Sequence, residues 1–112
     1  MEYDETLREV QGISMGYGSA KRQRYLNLFI ILRNEELLEE ILSKLNSVFT
    51  SKGINCHIEV KRSLVVPNFI YIKVMPQESA IDLRDLKSYI DKCLDDVSKG
   101  IIWSKVEIIE VK

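Results

Sequence analysis

Two helix-type repeats of apolar residues, separated by strand-type runs, are the feature of this sequence that most constrains its fold. Within each repeat, apolar residues recur every three or four positions, as one buried face of an amphipathic helix requires. The first helix is predicted between Asn34, its N-cap, and Gly53, its stop; the second begins near Asp82 and ends before Gly100. The two apolar stripes consist of Leu37, Leu38, Ile41, Leu42, Leu45, Val48 and Phe49, and of Leu83, Leu86, Tyr89, Ile90, Cys93, Leu94 and Val97.

Four strands are predicted around these helices. Residues 24–33 form a short run rich in β-branched and aromatic residues, and residues 54–62 alternate between apolar and polar. In residues 68–75, Ile70, Ile72 and Val74 alternate with Phe69, Tyr71 and Lys73, and residues 101–111 form the last strand. The order is therefore βαββαβ, with a hairpin in the middle and right-handed crossovers. This order predicts an α+β domain of the ferredoxin-like type, a four-stranded antiparallel sheet with both helices on one face.

The chain divides into an N-terminal arm, residues 1–23, and a single domain over residues 24–112. Leu7 and Val10 are spaced as on one side of a helix, which predicts one or two helical turns over residues 4–10. A basic loop with three glycines within seven positions follows, and its composition predicts a loop or arm rather than a regular element.

Charge is distributed unevenly between the predicted elements. The strand-type segments, residues 21–33, 54–75 and 100–112, hold nine Lys and Arg residues against three acids, a balance of +6. The rest of the chain, mostly helix, has a balance of −7, and the whole has a net charge of −1. A nearly neutral protein can therefore present one basic face and one acidic face.

The side of the sheet that no predicted helix covers, here called the outer face, is the candidate functional surface. The aliphatic residues of the first strand face the helices, so the residues alternating with them point outward. The predicted outer face carries Tyr25, Asn27, Phe29, Ile31, Arg33, Asn55, His57, Glu59, Lys61, Phe69, Tyr71, Lys73, Trp103, Lys105, Glu107, Ile109 and Val111.

Two short segments carry a resemblance to a known family. The run Leu28-Phe29-Ile30 resembles the first-strand aromatic signature of RNA-recognition-motif domains, and Phe69-x-Tyr71 resembles their third-strand signature, in which two aromatic residues are spaced by two. The family has a basic residue and a glycine before these aromatics, whereas this chain has Pro67 and Asn68. The resemblance implies that unpaired bases stack on the sheet.

Three hypotheses for the outer face follow. In the first, it binds RNA or another single strand: Phe29, Phe69 and Tyr71 stack nucleobases, and five Lys and Arg side chains contact phosphates. Those five are Lys21, Arg22, Arg24, Lys61 and Lys73. In the second, the apolar residues beside the aromatics mediate homodimerisation or bind another protein. In the third, the N-terminal arm folds back and covers the patch.

The sequence contains no pattern typical of an enzyme, a metal site or a cofactor site. The only histidine, His57, is predicted on an exposed strand face beside Glu59, where a solvated role is the usual one. One histidine and two distant cysteines do not form a ligand cluster, and both cysteines fall in apolar stripes as buried, reduced thiols. No apolar run is long enough for a signal peptide or a membrane span, so a cytoplasmic location without membrane association is expected.

Overall fold

The computed structural model describes residues 3–7, 23–78 and 80–111, with side chains over 24–78 and 80–110. Its strands are β1 (Tyr3–Leu7), β2 (Gln23–Leu32), β3 (Cys56–Ser63), β4 (Phe69–Pro76) and β5 (Ile101–Val111). Its helices are α1 (Leu37–Lys52) and α2 (Leu83–Asp96), and a 3₁₀ turn, Ser98–Gly100, precedes β5. The predicted α+β class, with an antiparallel sheet and two helices, is confirmed.

The sheet has five strands in the order β1-β3-β4-β2-β5, and every neighbouring pair is antiparallel. The strand beyond the predicted four is β1, which extends the sheet along β3 with Tyr3 opposite Ser63 and Leu7 opposite Glu59. The prediction of helical turns is therefore wrong for residues 4–7. An apolar pair alone does not specify a helix, whereas the edge of β3 offers these residues a backbone partner. The predicted glycine-rich loop lies outside the described residues.

Local chemistry explains where both helices begin and where the first one ends. Helix α2 starts after Asp82, whose side chain accepts a hydrogen bond from the Arg84 N–H at 2.8 Å. Helix α1 starts two residues later than expected, because the Asn34 side chain forms a turn by accepting from the Glu36 N–H at 2.9 Å. Helix α1 ends at Gly53, whose φ of 70° lies in the left-handed region where glycine is favoured.

One apolar cluster joins the helices to the sheet. Leu26, Leu28, Ile30 and Leu32 of β2 are almost completely buried, and they pack in the same cluster as residues of both helices and of β3 and β4. Phe49 of α1 is the largest fully buried side chain among those described. Burial of these apolar surfaces is the main source of the domain's stability.

Both cysteines belong to this cluster and are free thiols. Burial, with a smaller contribution from the Glu78 carboxylate, raises the pKa of Cys56 to about 12. Burial also raises the pKa of Cys93; the nearby Asp96 adds to this effect and Lys44 opposes it. The prediction of two buried thiols is therefore confirmed, and both are in their unreactive, protonated form at neutral pH.

Candidate nucleic-acid interface

An aromatic patch lies at the centre of the outer face, on the two middle strands. Residues directly opposite each other in an antiparallel pair point to the same side of the sheet. Phe29 lies opposite Tyr71, and Ile31 lies opposite Phe69. The Phe29 and Tyr71 ring centroids are 5.2 Å apart with an interplanar angle of 32°. We call Phe29, Phe69 and Tyr71 the aromatic patch; all three side chains are half-buried.

Two polar contacts fix the side chains next to the aromatic patch. The Tyr71 hydroxyl donates a hydrogen bond to Asn27 Oδ1 on the neighbouring strand. The Lys73 Nζ lies 4.3 Å from the centroid of the Tyr25 ring, within the range of a cation–π contact. The ammonium group of Lys73 is therefore held beside the aromatic patch, and the Tyr71 ring is oriented by its hydroxyl.

Strands β3 and β5 flank the aromatic patch and contribute polar and charged side chains in close pairs. On β3, His57 Nε2 lies 3.6 Å from Glu59 Oε2. On β5, Lys105 Nζ lies 3.0 Å from Glu107 Oε2. Lys61 of β3 lies directly opposite Tyr71, at the margin of the aromatic patch. The aromatic patch thus has a lysine on each side, Lys61 on β3 and Lys105 on β5, with an acid two residues away along each of these strands.

Several basic residues of the strand segments do not lie on the outer face. Arg24 is two residues from Leu26 and therefore lies on the same, core side of the sheet. There its guanidinium donates to the Ile81 carbonyl, and its Nε lies 3.4 Å from Glu110 Oε2. Arg62 also faces that side and pairs with Glu35. Strand alternation therefore directs the Arg24 side chain to the face opposite Lys61 and Lys73, and its predicted contact with phosphate stays a prediction.

Two residues predicted on the outer face, Arg33 and Asn55, leave the alternation at the strand ends. The register between β2 and β5 is irregular after Ile31, and the Arg33 Nε donates to the Lys99 carbonyl at 2.9 Å. Asn55 precedes the first residue of β3. Lys21 and Arg22 lie outside the described residues. Of the five predicted phosphate contacts, the structure brings Lys61 and Lys73 to the aromatic patch.

The charge of the outer face is smaller than the strand segments suggested. Over the described side chains of β2 to β5 it carries Lys61, Lys73 and Lys105 against Glu59 and Glu107. The imbalance between elements therefore becomes only a slight excess of positive charge on this face. Met75, opposite His57, is an outer-face residue that the sequence analysis missed. The alternation of residues 70–74, continued by one step, would have identified it.

A metal site or a membrane span would each require a particular arrangement of the described residues. Among them, no group of three or more His, Cys, Asp or Glu side chains is arranged to hold a metal ion. None of the described helices is long and apolar enough to cross a membrane. Comparison of the chain with protein-family models and with curated protein sequences gives no match.

Proposed function

We propose that this protein is a small domain that binds RNA or single-stranded DNA on the outer face of a ferredoxin-like sheet. The fold proposal is supported by the order β3-β4-β2-β5, in which the first and third strands of the βαββαβ series are central and all pairs are antiparallel. Strand β1 then extends this arrangement at one edge. Free thiols at both cysteines suit a reducing compartment such as the cytoplasm.

The observation that carries the binding proposal is the register of β2 against β4. It makes Phe29, Tyr71 and Phe69 one continuous patch, although two of them are about 40 positions from the third in sequence. Base rings stack on such surfaces with little sequence preference, because every base has an aromatic face. Lys61 and Lys73 lie where they can neutralise phosphates of a strand that crosses the patch.

The binding proposal is tested by titrating fluorescent single-stranded RNA and DNA of mixed sequence at low salt. Tyr71→Ala should weaken binding by about 1–3 kcal/mol, since it removes a stacking surface. Tyr71→Phe is the matched control: it removes the hydroxyl bonded to Asn27 but keeps the ring, and it should retain most of the affinity. Affinity should also fall as salt is raised, since lysine–phosphate contacts release counterions. Absence of binding by the unaltered protein at low salt would refute the proposal.

Binding of a protein at the same face is the second candidate, and a specific observation favours it. Half-buried Ile31 lies opposite Phe69 of the aromatic patch, and Trp103, opposite Ile31 on the other side, is 46% exposed. Half-buried Ile109 lies opposite Tyr25 on the same face. Apolar residues contribute little to a wet nucleic-acid platform but contribute strongly to a protein interface. This candidate includes homodimerisation through the outer face.

Phe29→Asp separates the two candidates when the oligomeric state and nucleic-acid binding are both measured. If the outer face binds a second copy, the substitution should dissociate the dimer, because it puts a charge in an apolar contact. If the outer face binds nucleic acid, the oligomeric state should stay the same while binding is lost. Sedimentation and the titration above report these two outcomes.

A further inference from the structure

The edge of the sheet formed by β5 is long, apolar and unpaired in the part of the chain that the structure describes. Strand β5 has 11 residues and lies last in the sheet order, with β2 along its inner edge. Its side chains include three of the most exposed large apolar residues of the described structure: Ile102 at 58%, Trp103 at 46% and Ile108 at 36%. Unpaired N–H and C=O groups along such an edge are a template for another strand.

The outer-face residues of β5 are complementary to themselves when the strand is reversed. They read Trp103, Lys105, Glu107 and Ile109, that is, apolar, positive, negative, apolar. We propose that β5 pairs antiparallel with β5 of a second copy about a two-fold axis at Val106. Lys105 then lies opposite the second copy's Glu107, Glu107 opposite its Lys105, and Trp103 opposite its Ile109.

The charges select this register over its neighbours. In a symmetric antiparallel pair, both outer faces stay on the same side of the sheet only if the two-fold axis passes through a residue. The alternative registers nearest to this one therefore centre the axis on Lys105 or on Glu107. Centring the axis on Lys105 would place it against its own copy, and centring it on Glu107 would do the same for the acid. Like charges directly opposite each other destabilise strand pairs, whereas opposite charges stabilise them. The register about Val106 is favoured over both.

The same register also covers exposed apolar surface on the core side of β5. The register with β2 puts Ser104, Val106 and Ile108 on that side, where Ile108 stays exposed. In the paired strands, Val106 meets its own copy and Ile108 meets Ser104. The partner inferred here is therefore a second copy of this chain, and its contact is the β5 edge rather than the outer face. The inference does not depend on the proposed nucleic-acid function.

A charge-exchange experiment tests the inference with folded protein. The side chains of Lys105 and Glu107 are 55% and 36% exposed, so substitutions there should leave the monomer intact. The unaltered chain should be a dimer at micromolar concentration by sedimentation equilibrium. Lys105→Glu and Glu107→Lys should each weaken the dimer on the order of tenfold or more, since both symmetry-related pairs become repulsive.

Complementation then isolates the contact. An equimolar mixture of the two single variants should form a heterodimer, because the acidic strand of one meets the basic strand of the other. The double variant Lys105→Glu/Glu107→Lys should recover self-association. Trp103, the only tryptophan of the chain, supplies an independent signal: its emission should shift to shorter wavelength as the dimer forms. Circular dichroism of each variant confirms folding.

Three results would overturn the inference. The first is that the unaltered chain is a monomer at all concentrations. If that monomer dimerises once residues 1–20 are deleted, the N-terminal segment rather than a second copy occupies the β5 edge in the unaltered chain. The second is a dimer that tolerates both single charge substitutions. The third is a dimer that Phe29→Asp dissociates while the charge substitutions have no effect, which would assign the contact to the outer face.

Discussion

At the scale of single residues, alternation along a strand decides which side chains can act together. Arg24 and Lys73 are both basic residues on strands. The Arg24 side chain is 19% exposed and lies against Glu110, whereas Lys73 lies beside the aromatic patch. The sequence contained this information, since Arg24 is two residues from buried Leu26. The pairing of Phe29 with Tyr71 was not contained in it, because register depends on partners distant along the chain. Alternation thus identified the outer-face residues within the strands but not at their ends, where Arg33 and Asn55 leave it and Met75 was missed, and the structure supplied their neighbours.

The buried thiols give a prediction at the same scale. With a pKa near 12, Cys56 has about one part in ten thousand of thiolate at pH 8, so attack on a disulfide reagent should be very slow. Ellman's reagent should label neither cysteine in the folded protein and both in guanidinium. Rapid labelling of either thiol under native conditions would contradict the burial described here.

The same pKa shifts have a consequence for stability in alkali. A thiol whose pKa is raised by folding stabilises the native state below its unfolded pKa, here 9.0, and that contribution is lost as the pH rises toward the folded value. Cys56→Ala should therefore lessen the loss of stability between about pH 9 and 12, measured by urea unfolding, relative to the unaltered chain. An equal loss in both proteins would show that other groups control alkaline unfolding.

At the scale of elements, the sequence located both helices and the four main strands but not all their boundaries. The apolar stripes define helix position well, because burial against the sheet requires them. Caps are less certain: Asn34 was the expected N-cap of α1, but its side chain instead stabilises the turn before Glu36. Strand β1 could not be found from its own residues, since its conformation depends on the available edge of β3.

The two helix N-termini supply a matched pair of substitutions. Asp82→Ala removes the side chain that accepts from the Arg84 N–H, so it should destabilise the domain by about 1 kcal/mol. Glu36→Ala removes an N-cap residue whose side chain makes no capping hydrogen bond, and it should change stability by less than about 0.5 kcal/mol. Urea unfolding measures both. Equal effects would mean that the capping bond of α2 contributes little.

At the scale of the whole molecule, the N-terminal segment is the part that the sequence predicted least well. The buried cluster draws on β2, β3, β4 and both helices, which accounts for why pattern analysis could recover the domain. Strand β1 adds backbone pairing along β3, from Tyr3 opposite Ser63 to Leu7 opposite Glu59. The segment therefore belongs to the sheet in part, rather than being only an arm attached to a complete domain.

Deletion of residues 1–20 tests this assignment. The truncated chain should unfold cooperatively, because the buried cluster remains, but its midpoint should fall by about 5–10 °C, equivalent to about 1–2 kcal/mol for a domain of this size. Differential scanning calorimetry measures the midpoint. An unchanged midpoint would mean that β1 does not stabilise the sheet. Aggregation of the truncated chain would favour the hypothesis that the segment covers the aromatic patch.

The pairing of β2 with β5 also has a consequence for how the protein is made. Gln23 pairs with Val111 and Leu32 with Ile101, so β2 pairs along this edge with residues that leave the ribosome much later. During synthesis, β2 can pair with β4 first, and the other edge of β2 lacks its native partner until β5 emerges. Such distant pairing slows folding and leaves an apolar edge exposed to neighbouring nascent chains. The arrival of β5 therefore gives β2 its second hydrogen-bonded partner.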